Sequence, residues 1–230
     1  MKAMLYGSGD VKLYAFIGVT YPEGSTCTCT NGVVTLKAKD TGGMWAFRIP
    51  KAGEWTVTAT NGERTKSETV SITAEGQFET VKLVYELMLY DAGNEYTDVT
   101  GGWSGYTSKT KTTMSLSSYY PHVYGTCETV TAKTANAIDY SDYKTLHIYV
   151  ISTSYKSAKH TPSLEILSES GEQIATLDLK DTQETEVTLD VSDLATTSGI
   201  IAVVASGKTY ASVGDLYSSV TFNKIWFSPE

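Results

Sequence analysis

Few residues in this chain combine the types and spacing that chemistry requires. Asp91, Asn94, Glu95 and Asp98 place four hard oxygen donors in one short stretch. This is the donor class of a structural Ca2+, although the spacing is not that of an EF-hand loop. Asp91-Ala92-Gly93-Asn94 is equally good turn chemistry, in which Asx side chains bond their own backbone. Glycoside hydrolysis needs two carboxylates held a set distance apart, and Asp91 with Glu95 or Asp139 with Asp142 are the available pairs. The second pair meets the same competing reading, because Ser141-Asp142 is a turn. His122, His147 and His160 have no Cys or Glu at ligand spacing, and His147 is expected to face solvent. No nucleophile elbow and no phosphate cradle is present. No catalytic residue and no required cofactor is therefore expected.

The surface feature that stands out is Gly101-Gly102-Trp103-Ser104-Gly105-Tyr106. A Trp in a glycine-rich loop lacks strand neighbours, and an exposed aromatic stacks on the apolar face of a sugar ring. Tyr106, Tyr119, Tyr120 and Tyr155 lie in or beside loops and would extend such a platform. The competing reading makes Trp103 the cap on the bottom of a sandwich core.

These residues must be positioned by strands. Thr is roughly one residue in seven, and its branched β-carbon suits a pleated, half-exposed surface. Strands are predicted near 11–20, 25–30, 33–39, 44–49, 54–60, 65–73 and 78–89. Asn31-Gly32 and Asn61-Gly62 between them are read as type I′ hairpin turns. Trp55, Val57 and Ala59 alternate with Thr56, Thr58 and Thr60, so one face is core and the other is wet. Trp45, Phe47 and Ile49 join Trp55 and Val57 in the predicted core. Further strands are predicted near 112–117, 122–133, 144–153, 163–168, 172–179, 184–190, 199–206 and 219–227.

Charge divides the chain as well. The net charge is −8, but residues 1–85 carry 9 Lys+Arg against 8 Asp+Glu, and residues 86–230 carry 9 against 18. An acidic second half argues against nucleic acid, whose phosphates need Lys and Arg. No stretch approaches the length of a membrane span. Cys27, Cys29 and Cys127 offer no disulfide framework, which suggests folding in a reducing compartment. The N-terminal MKAMLYGSGDVKLYAFIGV does not read as a signal peptide, because Gly7 to Asp10 interrupt the apolar run.

Val19-Thr20-Tyr21-Pro22-Glu23-Gly24, the Trp45–Pro50 segment and Ala52-Gly53-Glu54-Trp55-Thr56-Val57 resemble the small Ig-like or carboxypeptidase-regulatory-like sandwiches. These are similar to modules of phage and prophage virion proteins of Gram-positive gut bacteria. Ile138 to Leu146, with the closing Val220 to Phe227, resembles the galactose-binding-like jelly rolls, in which the last strand pairs beside the first. That class is common among carbohydrate-binding and phage tail modules and often holds a loop Ca2+. The resemblances imply an all-β chain: an arm at 1–10, a seven-stranded Ig-like sandwich at 11–87 and an eight-stranded jelly roll at 88–230.

The function they imply is a non-enzymatic virion surface protein: a tail or baseplate appendage, head fibre or capsid decoration. It would assemble in the host cytoplasm, be exposed outside the particle in symmetric or multiple copies, and touch other virion proteins and host glycans. The alternative is a free carbohydrate-binding module of a secreted glycan-active protein. Neither reading involves a membrane.

Overall fold

A computed structural model describes residues 14–118, 126–155, 160–209 and 218–229. The chain divides into two compact units, Met1–Tyr85 and Glu86–Glu230. The proposed arm at 1–10 lies outside the described residues.

The first unit contains β1 (Ala15–Thr20), β2 (Thr26–Thr30), β3 (Thr35–Lys37), β4 (Met44–Ile49), β5 (Gly53–Asn61), β6 (Arg64–Ile72) and β7 (Phe78–Lys82). They form two sheets, β4-β1-β7 and β3-β2-β5-β6. β1 runs antiparallel to β4 and parallel to β7. The period-2 alternation is realised strand by strand. Ile17, Val19, Phe47 and Ile49 from one sheet meet Cys27, Cys29, Trp55, Val57 and Ala59 from the other, all buried. Trp45 packs on this core while remaining partly exposed. Trp55 is fully buried and its indole N–H donates to Lys51 O at 3.2 Å, which settles its one polar atom.

The outer face of the four-stranded sheet is a ladder of hydroxyls in register. Thr56 meets Thr69 at 3.0 Å and Thr58 meets Ser67 at 2.8 Å across the β5–β6 pair. Such cross-strand pairs fix the register on the wet side.

Both expected hairpins form, with different turns from those expected. Thr30 pairs with Thr35, so the first loop has four residues, Asn31 to Val34. The Asn31 carboxamide oxygen accepts from the amides of Val33 and Val34, an Asx arrangement in place of a two-residue I′ turn. Asn61 pairs with Arg64, leaving Gly62-Glu63 as the two-residue loop. Gly62 has φ 59° and Glu63 is not among the positive-φ residues, the pattern of a II′ turn.

The second unit opens with β8 (Leu87–Asp91), β9 (Asn94–Glu95), a one-turn helix α1 (Thr97–Thr100), β10 (Trp103–Ser104), β11 (Ser108–Lys109) and β12 (Met114–Ser118). The segment expected as one strand at 78–89 is thus split between β7 and β8, which belong to different units. There follow β13 (Thr126–Cys127), β14 (Val130–Thr134), β15 (Ile138–Asp139), β16 (Thr145–Tyr155), β17 (Ser163–Leu167) and β18 (Gln173–Asp178). The last are β19 (Gln183–Asp190), β20 (Ser198–Ala205), β21 (Lys208–Thr209) and β22 (Ser218–Ser228).

One sheet is ordered β10-β14-β20-β17-β18, with β15 on β20. A second is β11-β12-β22-β16-β19, with β8 added to β22, and β13 pairs with β21 in a third. The closing strand β22 therefore lies beside the unit's opening strand β8, as well as beside β12 and β16. Leu146, Ile148 and Val150 of β16, with Val220, Phe222, Ile225 and Phe227 of β22, face Leu164, Ile166, Ile201 and Val203 in one apolar core. The architecture is all-β, with each unit built of packed sheets.

Candidate functional site

The aromatic platform expected around Trp103 does not assemble as an exposed surface. Trp103 is 6% exposed, packs against Phe222 at a ring distance of 6.4 Å, and donates its indole N–H to Leu89 O at 3.2 Å. It caps the core, because its two partners come from β22 and β8 and close over a loop that looked open in sequence. Tyr106 also packs on that core. Tyr155 sits elsewhere: it pairs with Ser218 at the start of β22, and its phenol donates to Asp181 Oδ1 at 2.5 Å. That bond is the main cause raising the Tyr155 phenol to about 12. Tyr119 and Tyr120 lie outside the described residues.

Of the four oxygen donors proposed for calcium, Glu95 has its carboxylate engaged within the fold. Asp91 and Asn94 pair across the β8–β9 hairpin, whose loop residues Ala92 and Gly93 have φ 45° and 88°. Positive φ at both positions is the I′ pattern of a two-residue hairpin. A Cβ on Gly93 would stand 2.4 Å from Lys111 O, so no other residue fits there. Glu95 accepts from the Trp103 amide at 2.9 Å through Oε2 and from Lys109 Nζ at 2.5 Å through Oε1. Burial pushes the Glu95 carboxyl up, but the Lys109 bond, the Trp103 amide and the Lys109 charge together bring it below its ordinary value. Asp98 stands in α1. Among the described residues no group of three His, Cys, Asp or Glu side chains is gathered for a metal ion.

His147 lies on the outer face of the larger sheet, opposite Leu146 and Ile148, but it does not face solvent as expected, its side chain being only 14% exposed. Its ring stacks on Trp226 at 4.6 Å and 8°, its Nδ1 meets Glu186 Oε1 at 2.7 Å, and its Nε2 meets Ser228 Oγ at 2.8 Å. Lys224 Nζ lies 4.2 Å from the Trp226 ring centre. Each polar atom of the imidazole already has a partner, and the indole is 6% exposed. The cluster fastens β16, β19 and β22 together and leaves no open face.

Among the described residues, an exposed apolar surface lies in the first unit, on the outside of β4-β1-β7. Ile17, Val19, Phe47, Ile49 and Val81 point inward, so the alternate residues point out. The register arranges them as three rows of three: Arg48–Phe16–Phe78, Ala46–Gly18–Thr80 and Met44–Thr20–Lys82. The middle row has almost no side chain, because Gly18 stands between Ala46 and Thr80. The outcome is a shallow hollow of about 450 Å³, bordered by Gly18, Thr20, Met44, Ala46 and Thr80. Phe78 is 61% exposed and Met44 is 72% exposed, large values for apolar side chains on a sheet face. The Phe78 ring leans over the gap, its Cζ being 3.1 Å from where a Gly18 Cβ would stand. Sequence reading passed over this surface. The available signal was the exposed-face run Phe16, Gly18, Thr20, but its meaning depended on which strands flank β1.

No protein-family model matches the chain, and no curated protein matches it. Among solved structures it is similar to a DUF3823 family protein from Bacteroides ovatus, at 10% identity and TM-score 0.23, over 94% of this chain and 100% of that one. It is also similar to a protein described among carbohydrate-binding modules of the β-sandwich superfamily, at 12% identity and TM-score 0.28, over 88% of this chain and 84% of that one. A third is a glycoside hydrolase family 43 arabinoxylan arabinofuranohydrolase from Bacillus subtilis, at 11% identity and TM-score 0.28, over 76% of this chain and 38% of that one. At these TM-scores the likenesses carry no argument about what this chain binds.

Proposed function

We propose that the chain is a non-catalytic glycan-binding protein whose contact surface is the outer face of β4-β1-β7. The observation that carries this reading is Phe78, exposed and overhanging the side-chain-free gap at Gly18. A sugar ring offers an apolar C–H face and a rim of hydroxyls. Phe16 and Phe78, in the row beside the hollow, supply apolar faces for the first, and Thr20 and Thr80 in its lining supply hydroxyls for the second. A concave apolar surface with a few convergent polar groups is the usual form of a small-ligand site. The hollow is shallow, which suits a chain laid across a sheet better than a buried small molecule.

Affinity electrophoresis and calorimetry against a panel of soluble polysaccharides test the reading. Retention by at least one polymer, lost in Phe78→Ala with an unchanged melting temperature, supports it. Two results overturn it: no retention across the panel, or a dimer in light scattering that Phe78→Ala disperses, which would give the face to a second copy.

Display on a virion, the first expectation from the sequence, is a separate proposal. None of the structures named above is described as a phage protein, and its test is saturable co-sedimentation with particles. A structural Ca2+ likewise remains a proposal, tested by the change in melting temperature on adding chelator.

A further inference from the structure

We infer that the glycan taken by this face is acidic, a carboxylate-bearing chain with Arg48 as the partner of its carboxylate; this rests on the glycan-binding reading above. The nine outward positions hold two cations, Arg48 and Lys82, and no carboxylate. Glu79, the nearest acid on β7, belongs to the opposite face and accepts from Gln77 Nε2 at 2.8 Å. Lys82 already engages a partner of its own, and Arg48 stands at the corner of the grid beside Phe16.

Arg48 shares its row with Phe16 and Phe78. Two interstrand spacings separate it from Phe78, roughly 10 Å. A ring stacked over the two phenyl groups therefore turns one edge toward the guanidinium. The guanidinium fork matches a carboxylate in two parallel hydrogen bonds, which a neutral hydroxymethyl group cannot reproduce. Charge across the whole chain agrees with the placement. Residues 1–85 have 9 Lys+Arg against 8 Asp+Glu, whereas residues 86–230 have 9 against 18. A polyanion is repelled by the second unit and admitted by the first.

The test uses polygalacturonate, alginate and hyaluronan, each beside its carboxyl-reduced neutral counterpart, with the full chain at low and high salt. At least one acidic polymer is expected to bind about tenfold more tightly than its neutral counterpart, with the difference shrinking as salt rises. Arg48→Gln should abolish that preference at an unchanged melting temperature, and Arg48→Lys should retain part of it. Phe78→Ala should weaken binding to both forms. Equal binding of acidic and neutral forms, both lost in Phe78→Ala, overturns the acidic preference and leaves glycan binding standing. Binding to none of the six polymers overturns the acidic preference, and the wider polysaccharide panel then decides glycan binding by itself.

Discussion

Phe78 closes over Gly18: a Cβ added to the glycine would stand 3.1 Å from the phenyl Cζ. The two residues are sixty positions apart and meet because β7 lies parallel to β1, with Phe78 two residues along β7 from Thr80, the partner of Gly18. The hollow exists because one side chain is missing and a neighbouring one is long enough to wall the gap.

Filling that gap should separate stability from binding. Gly18 is in an extended strand without positive φ, so alanine fits once the exposed Phe78 ring yields by a few tenths of an ångström. Gly18→Ala should hold or raise the melting temperature, since a strand glycine gives up more chain entropy on folding. Gly18→Val should occupy the hollow and reduce glycan affinity by tenfold or more. Calorimetry on both variants checks this, and an unchanged affinity would place the contact elsewhere.

Trp103→Ala should cost about 3–5 kcal/mol of stability, the range for removing a large buried aromatic. Trp103→Phe should cost less, mainly the bond to Leu89 O, about 1 kcal/mol. Neither should alter glycan affinity per folded molecule. Denaturant unfolding gives the first quantity and calorimetry the second; a selective loss of binding would return Trp103 to the surface role its loop suggested.

Glu95 makes stability depend on pH in a stated direction. Its folded carboxyl titrates below the ordinary value, through burial opposed by Lys109 and the Trp103 amide. A depressed acid contributes stability that is fully present above the unfolded pKa, about 4.3, and is lost as pH falls through the folded value. Glu95→Gln should therefore destabilise by about 1–2 kcal/mol at pH 7 and by less at pH 3. Urea midpoints at the two pH values check it.

Cys27 and Cys29 should behave as core hydrophobes. Burial pushes their thiols up to about 11 and about 12, and neither is more than 2% exposed. In a Cys127→Ser background no thiol should react with a disulfide reagent at pH 8 until guanidinium unfolds the chain, when two should react. Reaction in the native state would show that β2 opens locally.

The alternation of Trp55, Val57 and Ala59 against Thr56, Thr58 and Thr60 was legible because a strand repeats every two residues, and local periodicity reports which face is buried. His147 was placed on an outer face by the same rule. Its tie to Trp226, Glu186 and Ser228 was not legible, because those partners lie on strands up to 81 positions away. Trp103 shows the opposite failure: glycine neighbours suggested an open loop, and Phe222 and Leu89 cover it from distant strands. The turns were located correctly and typed wrongly, since the register of Thr30 with Thr35 and of Asn61 with Arg64 decides loop length.

Composition and spacing alone determined an all-β chain, since Thr-rich period-2 runs between turn residues bury enough surface only as packed sheets. They also determined the charge asymmetry of its halves, a sum over side chains that no fold alters. Tertiary structure alone decided which surface is open. Burial of an aromatic depends on what crosses it, so the exposed Phe78 and the covered Trp103 could be told apart only once strand order had chosen their neighbours. The hollow over Gly18, with Arg48 in the row beside it, is a property of three strands brought side by side and belongs to none of them separately.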